Sequence, residues 1–311
     1  DALGDELRLA GPPKRIVSLV PSITESLIEL GARERLVGIT GYCVHPAGAV
    51  ASIAKVGGTK GFSFDKIEAL APDLVIANKE ENRKHHIDRL REAYPVFVTY
   101  PRTVKEAIEM VRDLGTLTAT QAKADAFVDA CLEALAQAVA PGVRCVGDGP
   151  FAGASEDHPP KADSRAKRSA GRRQHDVTPA RHSAKATTRA MTALRTACLI
   201  WRDPWMAVGP DSYASALLET AGFENVFSAA DGRYPETTLD AIVERSPDVI
   251  LLPDEPYEFG EKDKQDVESF LAEKSHRAHA VLVDGSYLTW FGTRTLLGLR
   301  RLSDLRTRLG E

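Results

Sequence analysis

The side chains of this chain best suited to chemistry are aromatic rings gathered in three short stretches. Only 6% of the 311 residues are aromatic, yet stretches 201–206, 233–235 and 287–294 hold all three tryptophans and three further rings. Such rings provide flat apolar walls with polar edges, and loops after the carboxyl ends of strands line the crevices of α/β sheets. The pattern predicts a site for a large planar or macrocyclic ligand. The alternative, that the rings fill the protein core, fits their Arg, Asp, Pro and Gly neighbours less well.

Signatures of catalysis are missing from the sequence. It contains no G-x-x-x-x-G-K-[ST] phosphate loop, no H-E-x-x-H zinc motif and no G-x-S-x-G nucleophile motif. The glycine-rich stretch 57–61 lacks the spacing of a dinucleotide-binding loop and is interpreted as a flexible loop. Cys43 and His45 form half of a metal site without further ligands. His85-His86 is interpreted as an exposed helix face.

Charge is unevenly distributed along the chain. The net charge of −4, from 40 basic and 44 acidic residues, argues against general nucleic-acid binding. Residues 151–190 carry nine basic and four acidic side chains, so this segment is +5 and the remainder is −9. The segment lacks Leu, Ile, Met, Trp and Tyr, and we predict that 142–193 is a disordered, solvated insertion. The alternative for this basic tract is a nucleic-acid or membrane patch.

Short apolar runs alternate with amphipathic segments outside that tract, which is typical of an α/β fold. Strands are predicted at 15–20, 36–39, 74–77 and 96–98, and a helix at 24–30 is expected to end at Gly31. Their continuous apolar character indicates mostly parallel sheets covered on both faces. A terminal helix is predicted over 293–309, and Cys198 is interpreted as a buried strand thiol.

An internal repeat divides the ordered part of the sequence into two similar lobes. Asp65 precedes Pro72 by seven residues, and Asp240 precedes Pro247 by the same interval, each unit leading into an apolar strand. A hydroxyl residue, Ser63 or Thr238, lies two places before each aspartate and is a predicted helix N-cap.

The two lobes are separated by a long amphipathic stretch, 104–139. We predict that Gly115 breaks it and that Thr118 or Thr120 caps a second helix, a stiff spine between the lobes. The predicted domains are an N-terminal lobe at 1–115, a linking helix at 116–141, the insertion at 142–193, and a C-terminal lobe with its terminal helix at 194–311.

Several motifs, in this order and spacing, resemble the substrate-binding proteins of ABC importers for vitamin B12, ferric siderophores and haem, the helical-backbone metal receptors. The matching stretches are 15–25, 37–43, 55–59, 72–82, 201–206 and 290–294. The resemblance implies two α/β lobes joined by a long helix, with a ligand cleft between them. The insertion departs from it, because the family has only a short connection there.

The resemblance also implies which residues face the cleft. The implied ligand-binding residues are Pro21, Ser22, Tyr42, Gly58 and Thr59 on the N-terminal lobe, and Trp201, Trp205, Tyr234, Trp290, Phe291 and Arg294 on the C-terminal lobe. No catalytic or metal-ligating residue is implied.

An acidic residue on each lobe of the family docks into arginines of the membrane permease, and the matching positions are Asp65 and Asp240. One carboxylate at the same point of two similar lobes suits a two-fold symmetric partner, and arginine binds carboxylate bidentately. Alternatively, an acid in the first turn of a helix is stabilised by the macrodipole and needs no partner. Glu68 or Glu236 can replace the shorter aspartates in docking.

The resulting hypothesis is a non-enzymatic, monomeric, extracytoplasmic protein that delivers a corrinoid to an ABC permease dimer, without cofactor or nucleic acid. We expect no signal segment within this sequence, and we expect membrane association only through the permease or a lipid anchor.

Three alternatives stay open. The ligand can be a ferric siderophore or haem, in which case Arg202, Arg233 and Arg294 meet an anionic chelate and Tyr42 or His45 is an axial ligand. A two-lobed metalloenzyme or chelatase needs more convergent Cys or His residues than Cys43 and His45. The third alternative is a cytoplasmic binding protein without a transporter.

Overall fold

The computed structural model describes residues 1–4, 6–139 and 193–310, so most of the predicted insertion lies outside the described residues. The N-terminal part is a parallel five-stranded sheet in the order β3-β2-β1-β4-β5. Its strands are β1 (Ile16–Ser18), β2 (Leu36–Ile39), β3 (Ala54–Lys55), β4 (Leu74–Asn78) and β5 (Val96–Thr99). The accompanying helices are α1 (Pro21–Glu29), α2 (Ala47–Val50), α3 (Phe64–Ala69), α4 (Lys84–Arg91), α5 (Val104–Thr118) and α6 (Gln121–Val139).

The C-terminal part contains a second sheet in the order β11-β10-β6-β7-β9, with β8 pairing β6. Its strands are β6 (Leu194–Trp201), β7 (Trp205–Ala207), β8 (Phe223–Asn225), β9 (Glu236–Thr237), β10 (Val249–Pro253) and β11 (His279–Val283). Its helices are α7 (Tyr213–Thr220), α8 (Leu239–Glu244), α9 (Glu261–Glu273), α10 (Ser286–Thr289) and α11 (Arg294–Leu309). Strands β8, β6, β10 and β11 are parallel, whereas β7 is antiparallel to β6 and to β9. The predicted fold class, two similar α/β lobes with mostly parallel sheets, is confirmed.

The internal repeat is visible as matching hydrogen bonds in the two lobes. Ser63 accepts from the Lys66 N–H at the start of α3, and Thr238 accepts from the Ala241 N–H at the start of α8. Both predicted N-caps therefore hold the helix that carries the repeated aspartate. At the other end of each unit, Asp73 accepts from the Arg15 N–H and Asp248 from the Arg195 N–H.

The connection between the lobes differs from the prediction at Gly115. Helix α5 continues through Gly115 and ends at Thr118; the next residue, Ala119, has a left-handed backbone (φ 52°, ψ 39°) and starts the turn into α6. A Cβ atom on Gly115 would lie 2.4 Å from the Ala124 Cβ. Glycine is therefore present because α5 and α6 approach closely, and its low helix propensity is overridden by this packing. The domain boundaries themselves stay a prediction.

Apolar side chains form one cluster that continues from the first lobe into the second. It includes Ile23 of α1, Phe127 of α6, Leu217 of α7 and Leu296 of α11, all buried. Cys198 is also buried in this cluster, as predicted. Among the described helices, none is long and apolar enough to cross a membrane.

Candidate ligand cleft

A cavity of about 1310 Å³ lies between the two lobes. Its wall contains Pro21 after β1, Tyr42 after β2 and Glu81 after β4, and from the second lobe Asp254 after β10 and Asp284 after β11. The cavity is thus built from loops at the carboxyl ends of parallel strands, the usual position of a ligand site in α/β folds. It exceeds the roughly 300–1,000 Å³ of pockets that bind drug-sized molecules.

Most of the residues predicted to face the cleft line this cavity. They are Pro21, Ser22, Tyr42, Thr59, Tyr234, Trp290, Phe291 and Arg294. Tyr42 and Tyr234 are 65% and 41% exposed, so their rings are available to a ligand. Gly58 lies behind Tyr42 in a tight turn of the glycine-rich stretch, where its N–H donates to the Gly61 carbonyl at 3.2 Å. That these residues bind ligand stays a prediction.

Trp201 and Trp205 do not line this cavity. Trp201 packs edge-on against Tyr257, and Trp205 stacks on Phe259 at 6.1 Å between ring centroids, against the core cluster of its own lobe. The reason is local: residues 202–204 close an antiparallel hairpin between β6 and β7, so both tryptophans lie on hairpin strands. We expected a crevice loop at this position.

Acidic side chains outnumber basic ones in the cavity wall, a feature that the aromatic pattern did not reveal. Its cationic residues are Lys60, Arg294 and Arg301. Its carboxylates are Glu80, Glu81, Asp254, Glu255, Glu258 and Asp284. Burial and the nearby Glu255 carboxylate raise the pKa of Glu81 to about 7, more than Lys60 lowers it. The internal repeat could have indicated part of this acidic group, because Glu80 and Glu255 each lie 15 residues after the repeated aspartate of their lobe.

The three arginines proposed to meet an anionic chelate are already bonded to carboxylates. Arg202 contacts Asp263 and Asp266 at 2.5 and 2.8 Å, on α9. Arg233 reaches across to Glu80 of the first lobe at 3.0 Å and also donates to the Tyr100 hydroxyl. Arg294 pairs with Glu25 of α1 at 2.5 Å.

The lobes contact each other directly at one edge of the cavity. The Thr293 N–H donates to the Ser26 Oγ of α1 at 3.0 Å. Gly292 has φ +95°, and a Cβ atom there would lie 2.2 Å from Ser26 Oγ, so only glycine permits this approach. Beside it, Arg294 donates to both carboxylate oxygens of Glu25, at 2.8 and 2.5 Å.

By sequence, Cys43 and His45 are two candidate ligands of an incomplete metal site. Among the described residues, no group of three His, Cys, Asp or Glu side chains comes together to hold a metal ion. Cys43 is buried beside the hydroxyls of Thr24 and Thr40, at 3.1 and 3.2 Å. His45 instead packs against Trp290 of the other lobe, with the ring centroids 5.7 Å apart. The two side chains therefore lie in different surroundings.

Comparison with known proteins gives the same architecture. Residues 16–141 match the family model described as periplasmic binding protein. The vitamin B12-binding protein of Pectobacterium carotovorum is 21% identical over 78% of this chain and 72% of its own length. An uncharacterised ABC transporter substrate-binding lipoprotein of Bacillus subtilis is 24% identical over 98% of this chain and 83% of its own.

Two solved structures share the fold over nearly the whole chain. The vitamin B12 binding protein BtuF of Vibrio cholerae has a TM-score of 0.69 at 17% identity, covering 96% of this chain and 98% of its own. The haem-binding protein RhuT of Roseiflexus has a TM-score of 0.68 at 19% identity, covering 97% and 100%. The family match thus covers the first lobe and its connecting helices, and the fold that the chain shares with these two structures extends through the second lobe.

Proposed function

We propose that the chain is the substrate-binding protein of an ABC importer and that its ligand is a corrinoid of the vitamin B12 type. The observation that carries the choice of ligand is the large cavity between the lobes, whose wall combines aromatic rings with an excess of carboxylates. A corrinoid presents a broad macrocycle with carboxamide groups along its edge. Aromatic rings pack against the macrocycle, and carboxylates accept hydrogen bonds from amide N–H groups.

The acidic wall argues against haem and anionic ferric siderophores. Their negative groups would meet carboxylates from both lobes, Glu81 and Glu255 among them. The three arginines expected to receive these groups, Arg202, Arg233 and Arg294, are held by Glu25, Glu80, Asp263 and Asp266. Because residues 16–141 match a family model described as periplasmic binding protein, we prefer a binding protein to a metalloenzyme or chelatase.

We expect purified protein to bind cyanocobalamin and dicyanocobinamide with 1:1 stoichiometry at micromolar concentration or below, and haemin more weakly. Isothermal titration calorimetry measures the affinities. Fluorescence quenching measures the position of the ligand: Trp290→Phe should remove most of the quenching, because Trp290 lines the cavity. The matched control Trp201→Phe should keep it. If neither corrinoid binds at micromolar concentration, the ligand assignment is wrong.

Delivery to a permease is the second part of the proposal, and it implies an extracytoplasmic location. Asp65 and Asp240 are both exposed in the first turn of a helix, at equivalent points of the two lobes. Asp240 forms an ion pair with Lys274 at 2.5 Å, but its side chain is still 62% exposed. A permease arginine can therefore reach both carboxylates.

The double variant Asp65→Lys/Asp240→Lys tests docking. We expect its corrinoid affinity to stay within twofold of the parent, whereas its affinity for the permease falls at least tenfold, because two attractive contacts become repulsive. Pull-down and uptake in proteoliposomes containing the importer measure this. The control Glu261→Lys alters another exposed acid in a first helical turn, on α9, and should dock normally. Normal docking by the double variant would refute the assignment.

A further inference from the structure

Arg294 is held in a way that gives it a different role from direct ligand contact. Its guanidinium donates to both oxygens of Glu25, and its third nitrogen donates to the Ser286 Oγ at 2.9 Å. The side chains of Arg294 and Glu25 are only 9% and 2% exposed. A bidentate pair with so little solvent fixes both side chains in one geometry.

The same guanidinium lies over the ring of Trp290, and its central carbon is 4.9 Å from the ring centroid. Two further groups contact Trp290, so that its ring is held from three sides. Arg294 covers its face, the Glu255 carboxylate accepts its indole N–H, and His45 of the first lobe packs near its edge at an interplanar angle of 70°. The part of the ring left open lines the cavity.

We propose that Glu25 is a positioning residue for ligand binding: through Arg294 it fixes the orientation of Trp290 as a wall of the cleft. The inference rests on the proposed function, since it assumes that the cleft binds ligand. Glu25 belongs to α1 of the first lobe, and Arg294 and Trp290 belong to the second. The orientation of the aromatic wall is thereby coupled to the relative position of the lobes.

The test follows Trp290 alone, in a Trp201→Phe/Trp205→Phe background whose two replaced rings lie outside the cavity. In unliganded protein, Glu25→Gln should reduce the near-ultraviolet circular dichroism of Trp290, because the neutral amide cannot hold both guanidinium nitrogens. Arg294→Lys, which keeps the charge but not the planar fork, should do the same. An unchanged Trp290 spectrum in both variants would overturn the proposal.

Affinity for cyanocobalamin gives a second readout. Glu25→Gln should weaken binding at least fivefold, yet should cause no further loss in a Trp290→Ala background, because the effect passes through that ring. The control Ser26→Ala removes a neighbouring contact between the lobes, the hydrogen bond from the Thr293 N–H, and should change affinity less than twofold. Equal losses in Ser26→Ala and Glu25→Gln, or full additivity with Trp290→Ala, would contradict the role.

The two proposals fail in different ways. If the parent protein does not bind cyanocobalamin, the assigned ligand is wrong, whereas the spectrum of unliganded protein still decides whether Glu25 orients Trp290. If Glu25→Gln does not fold, Arg294→Lys supplies the same comparison with the ion pair retained.

Discussion

Replacing Arg294 with methionine is expected to lower the free energy of unfolding by about 3–5 kcal/mol, the usual cost of removing one partner of a buried ion pair. The carboxyl group of Glu25 is 2% exposed, so it would be left buried without its partner. Ser286 would also lose the donor that reaches its hydroxyl at 2.9 Å. Urea denaturation at pH 7, followed by circular dichroism, measures the change.

The companion double variant Glu25→Gln/Arg294→Met separates the buried charge from the attraction between the partners. Because it removes both charges, it should be more stable than Arg294→Met alone, by at least 1 kcal/mol on the scale of such pairs. The surface pair of Lys84 and Asp88, with side chains 89% and 48% exposed, is the control. Lys84→Met should cost less than about 1 kcal/mol. If Arg294→Met also lowered the free energy of unfolding by less than about 1 kcal/mol, Glu25 would not be left buried without a partner in that variant.

The features predicted well from sequence are those fixed by local patterns. The strand at 36–39 has the predicted bounds, and α1 stops where Gly31, at φ +90°, ends the helix. Ser63 and Thr238 cap their helices because a hydroxyl before an apolar periodic segment satisfies free N–H groups there. The internal repeat then allowed the α/β architecture of the first lobe to be predicted for the second lobe as well.

Features that depend on distant parts of the chain were not predicted. Gly115 has low helix propensity, and only the approach of Ala124 explains why it lies within α5. Glu25 and Arg294 are 269 residues apart, so no local pattern shows that they meet in the core. Trp201 and Trp205 carried the expected aromatic signal, but the antiparallel return of β7 places them away from the cavity.

Glu29 should make stability depend on pH. It lies one turn after Glu25 on α1, and burial raises its pKa from 4.5 to about 7, against the opposing effect of a hydrogen bond with Thr293. Of the two nearby charges, Glu25 raises this pKa and Arg294 lowers it. Glu81, facing Glu255, Glu80 and Lys60 in the cleft, is raised to the same value, also chiefly by burial.

The sign of the effect follows from proton binding. Between pH 4.5 and 7 the folded protein keeps the proton of each raised carboxyl, whereas the unfolded chain has released it, so the free energy of unfolding falls as pH rises. The fall levels off above pH 7, where both states are ionised.

At pH 8, Glu29→Gln and Glu81→Gln should each have a higher free energy of unfolding than the parent, by on the order of 2 kcal/mol. At pH 4.5 the advantage should largely vanish, because the parent's folded carboxyl is then neutral like the amide. Urea denaturation at the two pH values measures it, and the exposed Glu92→Gln should show no such difference. An equal effect of Glu29→Gln at both values would mean that burial does not hold this proton, and that the α1 contact with Thr293 forms with the carboxylate charged.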